Sequence, residues 1–133
     1  MAAHTRPVVL LVEDDEPVRE LLARLLADRG LEVLAVGSGE EALNVELERR
    51  VDLVLSDVML PGQNGFEVAR QIRGRSPHVR ILFMSGYVNQ ATAPAGEFDL
   101  SALLLQKPFT VADLMVRLAE VFPALVTAPA SVR

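Results

Sequence analysis

The sequence contains no cysteine and no tryptophan, and it has a single tyrosine. Without cysteine the chain cannot form disulfides, thiolate metal sites or a thiol nucleophile, which suits a reducing cytoplasm. Long apolar runs are also missing, since none exceeds about six residues and a bilayer-spanning helix needs roughly 20. The start MAAHTRP lacks the apolar segment of a signal peptide. We therefore expect a cytoplasmic protein with no membrane partner.

An excess of basic charge is absent as well. The 18 acidic residues outnumber the 13 basic ones, which gives a formal net charge of −5. Phosphate contacts need clustered lysine and arginine, so we expect no direct binding to nucleic acid. The basic run Arg70, Arg73, Arg75 and Arg80 is interpreted as a solvated face on which an acidic partner could dock. With 133 residues the chain is long enough for one domain with its own core.

Alternating strands and helices are predicted from the spacing of apolar residues. Residues 7–12 read PVVLLV, a run that is apolar on both faces, as in a strand covered by helices on both sides. Similar runs predict strands at 31–36, 51–56, 80–84 and 103–106, and helical spacing predicts helices over 17–29, 39–49, 66–74 and 111–122. Ser38 and Glu41 fit a capping box, and Thr110 is the predicted cap of the last helix. Residues 89–100 predict only a short or irregular helix.

This order of elements favours an α/β fold with a parallel sheet covered by helices on both faces. In such open sheets, ligands bind beyond the carboxyl ends of the strands. Chemically active side chains stand at four of these ends in the sequence: Glu13 and Asp14 after the first strand, Asp57 after the third, Ser85 after the fourth and Lys107 after the fifth.

These residue types indicate phosphoryl chemistry. If the first and third strands are neighbours, Glu13, Asp14 and Asp57 converge, and the repulsion among their carboxylates favours a bound cation. Mg²⁺ is the natural choice because it prefers oxygen ligands. Lys107 is the only lysine of the chain and would supply a compact positive charge there. A carboxylate, a divalent cation, a hydroxyl and an ammonium together are the groups needed for phosphoryl transfer to an aspartate.

Four segments in this order, VVLLVEDDEPVRELL, LVLSDVMLPGQNGFEVARQIR, ILFMSGY and LLLQKPF, resemble the two-component response-regulator receiver family. The family includes receivers found alone and receivers fused to hybrid sensor histidine kinases. The resemblance implies a five-stranded parallel sheet in the flavodoxin-like order 2-1-3-4-5. It also implies a receiver domain over residues 7–122, between flexible tails at 1–6 and 123–133.

The resemblance assigns a role to each residue of the site. Asp57 would accept the phosphoryl group, and Ser85 and Lys107 would contact it. The implied ligands of Mg²⁺ are Glu13, Asp14, Asp57 and the backbone carbonyl of Met59. The chain departs from the family at Leu104, where many receivers have an aromatic residue, and at residues 100–101, where many have Gly-Ala. Both departures lie on the surface through which the family commonly signals.

The function predicted from these residues is a phosphorylation-dependent switch in two-component signalling. The phosphoryl donor would be the phosphohistidine of a sensor histidine kinase or phosphotransfer protein, and the output would go to a downstream protein partner or a further domain. The switch would catalyse only its own phosphorylation and dephosphorylation. One alternative is a small Mg²⁺-dependent phosphatase that forms an aspartyl phosphate, although Met59 stands where it would need a second carboxylate. The other is a receiver-like adaptor that is never phosphorylated.

Overall fold

Strands and helices alternate in the computed structural model, which describes residues 6–86 and 98–123. The strands are β1 (Val8–Val12), β2 (Glu32–Val36), β3 (Leu53–Asp57), β4 (Met59–Leu60), β5 (Gln63–Asn64), β6 (Arg80–Ser85) and β7 (Leu104–Gln106). The helices are α1 (Glu16–Ala27), α2 (Gly39–Glu48), α3 (Gly65–Arg75), α4 (Leu100–Leu103) and α5 (Val111–Val121). Every predicted strand and all four predicted helices are present.

The five longer strands form one parallel sheet in the order β2-β1-β3-β6-β7. Numbered along the chain as predicted strands one to five, this is the order 2-1-3-4-5, and the predicted fold class is confirmed. Because all five strands run the same way, their carboxyl ends meet at a single edge. The first and third strands are direct neighbours, which brings the residues that follow them together.

Two apolar clusters, one on each face of the sheet, hold the helices in place. Leu10 belongs to the cluster that includes residues of α2 and α3, and its neighbour Leu11 belongs to the cluster that includes residues of α1 and α5. Both side chains are fully buried because successive side chains of a strand point to opposite faces. The run PVVLLV is therefore apolar throughout because helices cover this strand on both faces of the sheet, as the sequence predicts.

The helix starts follow their capping residues. Thr110 Oγ1 accepts a hydrogen bond from Asp113 N, and Asp113 Oδ2 accepts one from Thr110 N, which completes a capping box at α5. At α2, Ser38 Oγ accepts from Glu41 N as predicted. The carboxylate of Glu41, however, accepts from Gly37 N at 2.9 Å and not from Ser38 N. The predicted capping box is therefore only half formed. The side chain of Glu41 accepts from the residue before the N-cap, Gly37, and not from the N-cap residue, Ser38.

Three local features differ from the sequence-based prediction. A short antiparallel hairpin of β4 and β5 is present at the run Pro61 to Gly65, whose residue types predict only a turn. Asp57 and Ser85 are the last residues of their strands, because backbone pairing continues past the apolar run. Leu103 ends α4 and does not begin the last strand. Most of the 89–100 segment and most of both predicted tails lie outside the described residues.

The longest helix within 6–86 and 98–123 is α1, with 12 residues. In this part of the chain no helix has the length and apolar character needed to cross a membrane.

Candidate functional site

The predicted site residues lie at the carboxyl edge of the sheet. Glu13 directly follows β1, Asp57 ends β3, Ser85 ends β6 and Lys107 directly follows β7. Since β1, β3, β6 and β7 are consecutive in the sheet, these four positions form a row across the edge. Glu13 and Ser85 are each 1% exposed and Asp57 is 9% exposed, whereas Asp14 faces solvent.

Three carboxylates come together at this edge. Glu13, Asp14 and Asp57 each offer an oxygen, and these oxygens all lie within 4.8 Å of one another. Three oxygen donors at such separations suit a hard divalent cation, whose remaining positions are commonly filled by water. The exposure of Asp14 leaves the cluster open to solvent on one side, so an ion could reach it.

Lys107 supplies the positive charge among these carboxylates. Its Nζ donates to Glu13 Oε1 and to Asp57 Oδ2, both at 3.0 Å. Burial of the ammonium lowers its pKa, but hydrogen bonds to Asp57 and Glu13 and their electrostatic attraction outweigh burial and hold the pKa above its usual value. The backbone fixes the same residue, since Lys107 N donates to Ser85 O at 2.8 Å. The peptide bond between Lys107 and Pro108 is cis.

The carboxylate of Asp57 is held on both oxygens. Lys107 binds Oδ2, and the backbone N–H of Met59 donates to Oδ1 at 3.0 Å. This second contact orients the carboxylate toward the edge of the sheet, where only 12% of its side chain is exposed. The side chain of Met59 itself is 68% exposed beside the site.

Gly65 is a supporting residue whose role the sequence reasoning missed. A Cβ at this position would lie 2.2 Å from the backbone oxygen of Asp57, closer than any side chain can approach. Its N–H also donates to Val58 O at 2.7 Å, so α3 begins directly beneath the end of β3. Its only signal in the sequence is its place in the run Pro61 to Gly65, whose residue types favour a turn and do not reveal a close approach.

Arg19 is a second residue that was missed. Its Nη1 donates to the backbone oxygen of Glu13 at 2.8 Å and lies 3.5 Å from that of Asp14. Gly37 leaves room for this guanidinium, because a Cβ there would lie 3.0 Å from Nη1. Helical spacing placed Arg19 on the polar face of the first helix, and nothing in the pattern distinguished it from the other polar residues there.

The structure therefore brings Glu13, Asp14, Asp57 and Lys107 into one cluster and sets Ser85 one strand away from Asp57. In the strand register Asp57 pairs with Met84, so Ser85 is one residue further along the neighbouring strand. Met59, whose carbonyl was the fourth implied ligand, is linked to the site through its N–H bond to Asp57.

Comparison with known proteins gives consistent matches. A family model described as "Response regulator receiver domain" matches residues 9–119. The sensor kinase CckA of Brucella abortus (strain 2308) is 39% identical over 114 residues, which are 84% of this chain but only 12% of that protein. The response regulator receiver protein CpdR of the same strain is 32% identical over 107 residues, covering 80% of this chain and 89% of CpdR.

A solved structure, the CheY-like response regulator receiver domain protein of Methanospirillum hungatei JF-1, is similar in fold. It has a TM-score of 0.80 at 22% sequence identity, and the alignment covers 94% of this chain and 100% of that one.

Proposed function

This chain belongs to the response regulator receiver domain family, and from that membership we propose that Asp57 is the residue that accepts the phosphoryl group. Receiver domains are the phosphoacceptor switches of two-component systems, and they interact with histidine kinases or phosphotransfer proteins. The observation that carries the assignment is the environment of Asp57: a nearly buried carboxylate, oriented by Met59 N–H and Lys107, with the oxygens of Glu13 and Asp14 within 4.8 Å.

The proposed reaction is an in-line transfer from a phosphohistidine. An oxygen of Asp57 attacks the phosphorus, a P–O bond forms and the P–N bond breaks. The histidine nitrogen keeps the electron pair of the broken bond and takes up a proton. The product is an acyl phosphate on Asp57. Its charge would be balanced by Lys107, and Ser85 would donate a hydrogen bond to a phosphoryl oxygen.

Mg²⁺ is the proposed cofactor. Glu13, Asp14, Asp57 and the carbonyl of Met59 would hold it, and the clustering of three carboxylate oxygens supports this. When bound, the ion would neutralise part of the negative charge on the phosphoryl group and its acceptor. Lys107 already pairs with two of these carboxylates, which offsets part of their mutual repulsion before the ion arrives.

The remaining parts of the proposal concern the protein as a whole. The receiver domain spans residues 7–122, it works in the cytoplasm and its own phosphorylation and dephosphorylation are its only reactions. The phosphoryl donor is the phosphohistidine of a sensor kinase or a phosphotransfer protein, and a protein partner receives the signal. The phosphatase alternative is less favoured because Met59, two residues after Asp57, offers an exposed thioether where a second carboxylate would be needed.

Intact-mass spectrometry after incubation with Mg²⁺ and a small acyl phosphate tests the assignment. We expect the mass to rise by one phosphoryl group, and we expect the rise to vanish with a chelator or with Asp57→Asn, because an amide is a far weaker nucleophile. Asp28→Asn, at an exposed helix end, is the matched control and should behave as the parent protein.

Each competing function predicts a different result in this experiment. Continuous release of inorganic phosphate with many turnovers would indicate a phosphatase. A folded protein that gains no mass with any donor would indicate an adaptor. A phosphoryl adduct that persists in Asp57→Asn would refute the choice of acceptor.

A further inference from the structure

A cleft opens at the amino-terminal end of β6, at the opposite end of the strands from Asp57. It has a volume of about 660 Å³ and lies between the end of α3, the start of β6, α4 and the end of α5. Arg80 is the first residue of β6 and Ser85 the last, so the cleft lies roughly 16 Å along the strand from the phosphorylation site. We name it the arginine cleft after the two arginines that line it, Arg73 and Arg80.

The described contacts of both arginines are with uncharged groups. Arg80 Nη1 donates to the backbone oxygen of Val121 at 3.2 Å. The guanidinium carbon of Arg73 lies 4.8 Å from the ring centroid of Phe98, a cation–π contact. Within 6–86 and 98–123, neither arginine forms an ion pair with a carboxylate. The two charges are thus positioned in advance, and no carboxylate of residues 6–86 or 98–123 is paired with them.

The surrounding sequence concentrates this positive charge. No aspartate or glutamate stands between Glu67 and Glu97, although the whole chain carries a net charge of −5. The same stretch contains four arginines and one histidine. Two of those arginines are paired, Arg70 with Glu67 and Arg75 with Glu46. The other two are the ones that line the cleft.

The floor of the arginine cleft is apolar. Val79 and Ile81, on either side of Arg80 in the sequence, are 3% and 1% exposed, and Leu103 and Val121 also line the cleft. The one acidic residue in the lining is Glu120, whose carboxylate lies 3.7 Å from Arg117 Nη1. A fitting ligand therefore combines negative charge with an apolar group.

We propose that the arginine cleft binds an acidic peptide segment of a partner protein, in which carboxylate side chains flank one apolar side chain. Guanidinium groups match carboxylates with two parallel hydrogen bonds, and arginines that are already fixed lose little side-chain entropy on binding. The cleft volume is within the range typical of ligand sites. This binding goes beyond phosphoryl transfer, and it requires neither Mg²⁺ nor phosphorylation of Asp57.

Fluorescence anisotropy with a labelled peptide tests the proposal on the full chain. The probe is a short peptide of glutamate and aspartate with one central leucine, and a second peptide has glycine in place of that leucine. We expect saturable binding of the leucine peptide that weakens as salt is added. Arg80→Glu and Arg73→Glu should each weaken it by about tenfold or more. Arg29→Glu makes the same change in net charge at an exposed loop and should leave binding unchanged.

Several results would overturn the proposal. Absence of saturable binding, or an equal loss in Arg29→Glu, would leave only nonspecific attraction. Equal affinity for the glycine peptide would remove the apolar half of the specificity. Self-association of the free protein that Arg80→Glu abolishes would assign the cleft to a second copy of the chain. Because Arg73→Glu loses its contact with Phe98 and could perturb folding, Arg80→Gln and circular dichroism of each variant keep the result interpretable.

Discussion

At the scale of single residues, Lys107 decides the electrostatic balance of the site. Its side chain is 28% exposed, and its ammonium nitrogen lies 3.0 Å from one oxygen each of Glu13 and Asp57. Two largely buried carboxylates would repel each other without it. The raised pKa of Lys107 reports this mutual stabilisation, because it means that the folded site favours the protonated amine.

This raised pKa predicts an alkaline loss of stability. A group whose pKa is raised by folding contributes its full stabilisation below its unfolded pKa and loses it as the pH rises through the folded value. We therefore expect the difference in unfolding free energy between the parent protein and Lys107→Met to shrink only as the pH rises above about 10, the ordinary pKa of a lysine side chain. Urea denaturation of both proteins in a chelator measures it. A difference that stays constant over this range would contradict the assigned ion pairs.

Arg19 acts on the acidic cluster through the backbone. By donating to the carbonyl of Glu13, it fixes the peptide that carries both acidic side chains. Residues that orient metal ligands in this way commonly change metal affinity by about tenfold or more when removed.

We expect Arg19→Ala to weaken Mg²⁺ binding by about tenfold while the protein stays folded. Arg24→Ala, an exposed arginine on the same helix, is the matched control and should leave the affinity unchanged. Calorimetric titration with Mg²⁺ gives the two dissociation constants. If both variants bind Mg²⁺ as the parent protein does, the contact is merely structural.

At the scale of secondary-structure elements, the segment from β4 to the start of α3 forms the support under Asp57. Gly62 has a φ of +70°, which lets the β4–β5 hairpin turn back, and Asn64 Oδ1 accepts from Phe66 N at 2.7 Å to cap α3. The helix then starts at Gly65, in contact with the backbone of β3. The position of Asp57, the proposed phosphoacceptor, therefore depends on the absence of a side chain at Gly65.

Two glycines of α3 provide a matched pair of substitutions. Gly65→Ala should destabilise the protein by about 1–3 kcal/mol, because its Cβ meets the Asp57 carbonyl and the backbone must shift. Gly74→Ala, with nothing within 4 Å of the new Cβ, should stabilise it by about 0.5–1 kcal/mol through helix propensity. Thermal or urea unfolding measures both changes. If both substitutions changed the unfolding free energy in the same direction, the close approach of Gly65 to the Asp57 carbonyl would not contribute to stability.

The elements themselves were largely predictable, and the exceptions have physical reasons. Helices were found because their apolar residues repeat at helical spacing and because Ser38 and Thr110 cap them. Strand ends were placed too early at Asp57 and Ser85, since apolar patterning reports burial by helices and not the continuing backbone hydrogen bonds. Contacts such as those of Gly65 and Arg19 depend on how elements pack, which a single sequence does not display.

At the scale of the whole molecule, we propose the domain limits from contacts near residues 7 and 122. Pro7 O accepts a hydrogen bond from Glu32 N at 2.9 Å, so the sheet is already engaged at residue 7. At the other end, Phe122 packs against the cluster beneath α1 and α5, and its N–H donates to Leu118 O. Residues 7–122 thus contain every described contact of both apolar clusters.

We expect a fragment of residues 7–122 to unfold at the same temperature as the full chain and to accept a phosphoryl group equally well. A fragment ending at residue 117 lacks Leu118, Val121 and Phe122, which pack in the core. Its unfolding free energy should fall by several kcal/mol, because the loss of one buried leucine side chain already costs about 2–5 kcal/mol. Differential scanning calorimetry compares the three proteins. A lower melting temperature for 7–122 would move the domain boundary outward.

The place of β3 in the sheet has a consequence for native-state hydrogen exchange. It is the central strand, with β1 and β6 beside it, and all five of its residues are buried. Its amide protons should exchange only when the whole molecule unfolds, whereas those of the edge strands β2 and β7 exchange through smaller openings. Asp57 is the last residue of this slowest-exchanging strand. Asp57, the proposed phosphoacceptor, is therefore tied to the part of the protein that we expect to open least, so that any motion in response to its phosphorylation would arise in the elements around it.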